Sequence, residues 1–194
     1  MFFRNLTAKK DVSLEVTLAQ VHLPVRLGHR DAEKAFATPL ARQLAVAGLG
    51  VITGCRALES APADIFGVDL CLGLTDASRE KLMDVARMLE HLSAPYGSSI
   101  RLADGGEPIV FGVSEGLELR IESALAPDAE ARRSAAQTFS TALKDEGVFR
   151  GWVERGAETV FYFYGEDFGR MRARLNDVLN SHPNLRNALT RRMV

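Results

Sequence analysis

The sequence is short of the features that usually announce a function. It has two cysteines, Cys55 and Cys71, in 194 residues. Two thiols cannot make a four-ligand zinc site, and no histidine stands at finger-like spacing from them. Each lies in an apolar, strand-like run, where cysteine behaves as a small hydrophobe, so both are read as buried thiols in a reducing compartment. Charge of one sign is also missing: 24 basic against 25 acidic side chains leave a formal net charge of -1. Nucleic-acid binders gain affinity by releasing counterions and normally carry a basic excess, so no direct nucleic-acid contact is expected. No apolar run approaches the roughly 20 residues of a membrane-spanning helix. The opening Met1-Phe2-Phe3-Arg4-Asn5-Leu6 is too short and too soon charged for a secretory signal. The expected location is the cytoplasm, with no membrane partner.

What is there is ordinary globular material. Hydrophobic residues make up 46% of the chain, enough for a core without staples. Val12, Leu14, Val16 and Leu18 alternate with polar residues. Val21, Leu23, Val25 and Leu27 continue that alternation after a one-residue slip at Ala19-Gln20, which predicts a strand with a bulge or turn. Asp31 to Ala47 has a helical face of Phe36, Leu40 and Leu44, with a kink expected at Pro39 and a stop at Gly48. Leu49–Leu58 and Asp64–Leu74 read as strands joined by a loop at Glu59–Ala63. A helix capped by Thr75 or Asp76 follows, with Leu82, Val85 and Leu89 as its stripe, then a short strand at Ser99–Leu102. Ile109–Val113 and Leu117–Glu122 look like a hairpin turning at Ser114-Glu115-Gly116.

The order then repeats. A helix begins at Asp128 or earlier. Strands at Val148–Val153 and Glu158–Tyr164, a helix at Phe168–Leu179 and a last strand at Leu189–Val194 complete it. Strand, helix, strand, strand, helix, strand is the order of a ferredoxin-like unit. The expected fold is therefore α+β: two ferredoxin-like (βαββαβ) halves, each an antiparallel sheet with helices on one face. Residues 1–103 form the first half, and residues 104–194 the second, which begins with the hairpin.

Several residue patterns carry potential chemistry. Gly112-Val113-Ser114-Glu115-Gly116 fits the Gly-x-Ser-x-Gly elbow of α/β-hydrolases, with Asp167 and His182 following in the expected order. The elbow needs a helix after the serine. Leu117, Leu119 and Ile121 alternate as a strand instead, so a small serine hydrolase using Ser114 ranks as a distant alternative. The histidines His22, His29, His91 and His182 are widely spaced and form no zincin pair. Asp104-Gly105-Gly106-Glu107 and Gly165-Glu166-Asp167 are read as turns and helix caps, not as a metal loop or an acid pair. No catalytic, cofactor-binding or metal-binding set is expected. Two features suit a protein interface: the acidic hairpin residues Glu115, Glu118 and Glu122, and the tyrosines of Phe161-Tyr162-Phe163-Tyr164. Exposed Tyr162 and Tyr164 would be anchors, and acidic residues suit a basic partner.

Two stretches carry a family resemblance. Ala47-Gly48-Leu49-Gly50-Val51-Ile52-Thr53-Gly54, Asp64-Ile65-Phe66-Gly67-Val68-Asp69 and Leu89 through Pro95-Tyr96-Gly97 to Ile100 resemble a module of bacterial polymorphic-toxin loci, whose members are assigned as immunity proteins. Thr159–Asp167 with the helix behind it is similar to small ferredoxin-like domains of the DUF695 and ribonuclease E regulator B type. The Gly-rich turn of the first module is replaced here by Glu59–Ala63. Both resemblances imply a non-enzymatic protein that acts by binding protein. The first implies a partner that is a bacterial protein toxin, neutralised by an inhibitor. The second implies, as the alternative, a binding regulator of an RNA-processing enzyme.

Overall fold

The computed structural model describes residues 16–61, 64–185 and 187–193. The alternation expected at Val12 and Leu14, the centre of the loop at 62–63 and Val194 lie outside them. The first half consists of β1 (Thr17–Leu23), a helical segment, β2 (Gly50–Ala61), β3 (Asp64–Leu74), a helix, β4 (Ser98–Leu102) and β5 (Gly105–Phe111). The first helical segment runs as α1 (His29–Ala32), one π-helical turn (Glu33–Ala37) and α2 (Thr38–Ala47). The π turn is the form the predicted kink takes. Proline has no N–H and its ring crowds the carbonyl four residues back, and just before Pro39 the Thr38 N–H bonds the Glu33 carbonyl. Gly48 closes α2 in the left-handed conformation, at φ 64°. The second helix, α3 (Arg79–His91), has Ser78 at its N-cap position, while Asp76 accepts the Ser78 N–H one step earlier.

The second half is β6 (Glu115–Glu122), α4 (Ala129–Leu143), β7 (Val148–Arg155), β8 (Glu158–Gly165), α5 (Phe168–Ser181) and β9 (Leu189–Met193). Asp128 and Asp167 cap α4 and α5 by accepting backbone N–H groups of the first turn. The sheets are ordered β2-β3-β1-β4-β5 and β7-β8-β6-β9. Without β5 the two orders are the same, and each is the ferredoxin-like one. The expected α+β fold of two such halves is what the chain adopts.

Two expectations fail. β5 and β6 form no hairpin: β5 pairs with β4, through Ser98↔Phe111 and Ile100↔Ile109, whereas β6 lies between β8 and β9 in the other sheet. The chain between them crosses over instead of folding back. Gly112 sits at φ 125° with the Pro95 carbonyl oxygen 2.0 Å from where a Cβ would stand, so only glycine passes there. Ser114, which then bridges to Pro95, is buried. The hairpin expected to open the second half is thus split, its first strand belonging to the first sheet. There is also no bulge at Ala19-Gln20. β1 pairs with β3 in unbroken register from Thr17↔Leu74 to Leu23↔Val68. The slip marks a change of face: Ala19, Val21 and Leu23 are buried, while Val16 and Leu18 are 46% and 54% exposed on the opposite side.

The halves stack. Leu117, Leu119, Ile121, Phe161 and Phe163 face α4 and α5, with Phe139 edge-on to Phe161 at 5.5 Å. Val160, Tyr162 and Tyr164, on the opposite face of β8, join the core of the first half beside Phe36 and Leu40. Arg150 of β7 lies over the Phe36 ring, 5.1 Å from its centroid, and donates to the Leu92 carbonyl. Burying an aromatic side chain of this kind stabilises by roughly 1.5–3 kcal/mol, so β8 is a main weld between the halves.

Candidate functional site

Stacking covers the second sheet on both sides, yet among the described residues nothing covers one face of the first sheet. Period-two geometry fixes which side chains stand there. From β1 they are Leu18, Gln20 and His22, and from β3 they are Asp69 and Cys71. The register adds Val51 and Arg56 of β2, Arg101 of β4 and Val110 of β5. At the centre is Asp69, 6% exposed. Its carboxylate accepts the Gln20 Nε2–H at 2.7 Å and contacts His22 Nδ1 at 2.9 Å, with Arg56 Nη2 at 3.5 Å. Arg101 Nη2 in turn donates to Gln20 Oε1 at 3.4 Å. A chain of polar contacts therefore crosses β4, β1, β3 and β2.

The backbone makes room for it. A Cβ at Gly67 would lie 2.7 Å from His22 Cε1, so the imidazole rests over a glycine. Asp69 holds that ring by Nδ1, which leaves Nε2 as its second hydrogen-bonding group. Beside the cluster a hollow of about 470 Å³ is lined by Leu18, Thr53, Gly54, Cys71 and Ala103 among others. Cys71 is exposed at its floor, which corrects the reading of two buried thiols. Cys55 is half-buried on the core side, and burial pushes its thiol above the ordinary value, with Glu33 and Cys71 adding to the shift. Chemically, the face offers two guanidiniums, an oriented imidazole and a buried carboxylate, ringed by Leu18, Val51 and Val110, which are 54%, 56% and 69% exposed.

The residues singled out from sequence lie elsewhere. Tyr162 and Tyr164 are 1% exposed and weld the halves, so they are not available to an outside partner. The Tyr164 hydroxyl accepts the Arg26 N–H at 3.0 Å. The three glutamates do not gather into an acidic patch. Glu115 accepts the Phe168 N–H at 2.6 Å and pairs with Arg192, Glu118 is buried against Arg120 at 2.6 Å, and Glu122 is exposed. Each acid near the core found a local cation or amide, because an unpaired buried charge is costly. Ser114 opens a strand rather than a helix, Asp167 caps α5, and His182 Nδ1 contacts the Val178 carbonyl. None of the three bonds another. What sequence reasoning missed is the His22–Asp69 contact, made across 47 residues. Its one local signal was the phase slip that put Leu18 outside.

No family model matches this chain, and no curated protein matches it. Among solved structures, it is similar to a candidate glycine cleavage system transcriptional repressor, at 10% identity and TM-score 0.33 over 92% of this chain and 96% of that one. It is also similar to the first two RRM domains of a yeast poly(U)-binding protein, at 9% identity and TM-score 0.28 over 91% and 99%. A third is a candidate monooxygenase from Lactobacillus acidophilus NCFM, at 7% identity and TM-score 0.28 over 93% and 93%. Likenesses this remote carry no argument about activity. Among the described residues, no group of three or more His, Cys, Asp or Glu could hold a metal ion, and no helix is long and apolar enough to cross a membrane.

Proposed function

We propose that this protein is a non-enzymatic binding protein that neutralises a bacterial toxin, using the open face of its first sheet as the docking surface. The observation that carries the surface is the exposure of Leu18, Val51 and Val110 around a fixed polar centre, on a face that the other described residues leave uncovered. Apolar side chains around oriented polar groups are the anatomy of a recognition patch. Arg56 and Arg101 favour a partner that presents carboxylates or carbonyls. The toxin as partner class rests on the resemblance of the segments from Ala47 to Ile100. Glu115 and Glu118, two of the three acids first expected to meet that partner, are used within the chain, so the charge logic is reversed.

The test is co-expression with the toxin encoded beside it. Protected cells and a stable complex on gel filtration are expected, both lost in a Leu18→Asp, Val110→Asp double variant. Absence of protection together with absence of a complex overturns the reading. Recovery of a ribonuclease instead of a toxin favours the RNA-processing regulator.

A further inference from the structure

A second cleft, of about 300 Å³, opens between the halves and shares no residue with the open face. Its lining includes Arg26, Arg120, Arg155, Arg191 and Arg192, against the carboxylates Asp64 and Glu118. The carboxylates do not use up the guanidiniums. Asp64 takes Arg155 at 3.0 Å but reaches Arg26 only at 3.7 Å. Glu118 takes Arg120, which Glu158 also approaches at 3.4 Å, and Glu115 takes Arg192. Among the described residues Arg191 has no ion pair.

Beneath these groups lies an unfinished hydrogen bond. Tyr162 is 1% exposed, and among the described residues its hydroxyl has no hydrogen-bond partner. The charges acting on that hydroxyl belong to Arg155, Glu118, Arg26 and Arg120, all of which line the cleft. Buried hydroxyls are nearly always bonded, and this one belongs to the residue directly opposite Glu118, a residue of the cleft wall. Burial holds the phenol in its protonated form, so it can donate.

We infer that this cleft binds a small anion bearing phosphate or carboxylate groups, gripped by Arg26, Arg155 and Arg191 with the Tyr162 hydroxyl as a neutral donor. Guanidinium forks match both oxyanions. The volume sits at the low end of ligand cavities, about 300–1,000 Å³, which points to a small metabolite and not to a polymer.

Calorimetric titration of the full chain with inorganic phosphate, pyrophosphate and citrate, at ionic strength matched with chloride, is the test. Saturable binding of at least one, with a Kd of about 1 mM or tighter, is expected. Preference for pyrophosphate assigns a phosphorylated ligand, and preference for citrate a polycarboxylate. Arg191→Gln removes an unpaired, exposed side chain, and Tyr162→Phe keeps the ring. Each should weaken binding by about tenfold or more while circular dichroism is unchanged. No saturable heat up to about 10 mM, or wild-type affinity in both variants, overturns the inference.

Discussion

The two sheets share a strand order and differ in what lies on them. In the second, β8 is apolar on both sides: Phe161 and Phe163 meet α4 and α5, while Val160, Tyr162 and Tyr164 meet the first half. In the first, β3 from Gly67 to Leu74 carries its large apolar residues on one side only. Val68, Leu70, Leu72 and Leu74 point inward, and Gly67, Asp69, Cys71 and Gly73 stand on the open side. One topology thus yields an inner sheet that holds the molecule together and an outer sheet with a free surface. A strand fully buried in a stack needs apolar residues at every position, and a half-buried strand needs them at every second one. The proposed docking surface follows from that difference, because among the described residues the outer sheet leaves a row of side chains on its second face outside the core.

The strongest test of this division acts on the inner sheet. Phe161→Ala removes a fully buried ring that packs on Phe139, Phe149 and Trp152. A loss of about 3–5 kcal/mol in urea denaturation is expected. That is a large part of the stability of a domain of ordinary size. A loss under about 1 kcal/mol would show that the face of β8 toward α4 and α5 is not a packed core.

The matching change on the outer sheet is Asp69→Ala. It leaves Gln20 and His22 without their acceptor and Arg56 without its counter-charge. The cost should be about 1–3 kcal/mol, with the fold kept. The His22 ring would also lose its orientation, readable as a change in the imidazole NMR signals. An unchanged His22 environment in this variant would sink the claim that the carboxylate organises the face.

A smaller effect separates the sheets by pH. Burial is the main cause that pushes the phenols of Tyr162 and Tyr164 above their ordinary value of 10.0. The folded chain therefore favours their protonated forms. Their contribution is intact below pH 10 and is lost as the pH climbs past it. Alkaline unfolding followed by phenolate absorbance should show both tyrosines ionising only as the halves open. Tyr164→Phe should flatten this dependence, at a cost of about 1 kcal/mol near neutrality for the bond from the Arg26 N–H.

Much of this architecture was legible in the sequence. Caps at Asp128 and Asp167, the left-handed stop at Gly48 and the alternation of β6 and β8 are local signals, and local signals suffice for element order. What failed was non-local. A strand's period is the same whichever neighbour it pairs with, so Ile109–Phe111 could not reveal that it would join β4 and not β6. Alternation likewise shows that Tyr162 and Tyr164 share a face, but not that the other half of the molecule lies on it. The Asp69 cluster draws its members from four strands, and no spacing rule links Gln20, Arg56, Asp69 and Arg101.

The smallest expected change in stability carries the sharpest functional consequence. The slip at Ala19-Gln20 had a readable meaning: an apolar residue placed on the wrong face of a half-buried strand is either a fault or a contact. Leu18 is 54% exposed with Val51 and Val110 on the same face, so it belongs to a group and not to chance scatter. Leu18→Asp should alter unfolding free energy by less than about 0.5 kcal/mol, because the side chain is 54% exposed and outside the buried core. If the open face is the docking surface, the same change should weaken the toxin complex by about 2 kcal/mol or more, some thirtyfold in Kd. Full affinity in this variant would remove the outer sheet from the interface and leave the edges and helices of the second half as the surfaces to search.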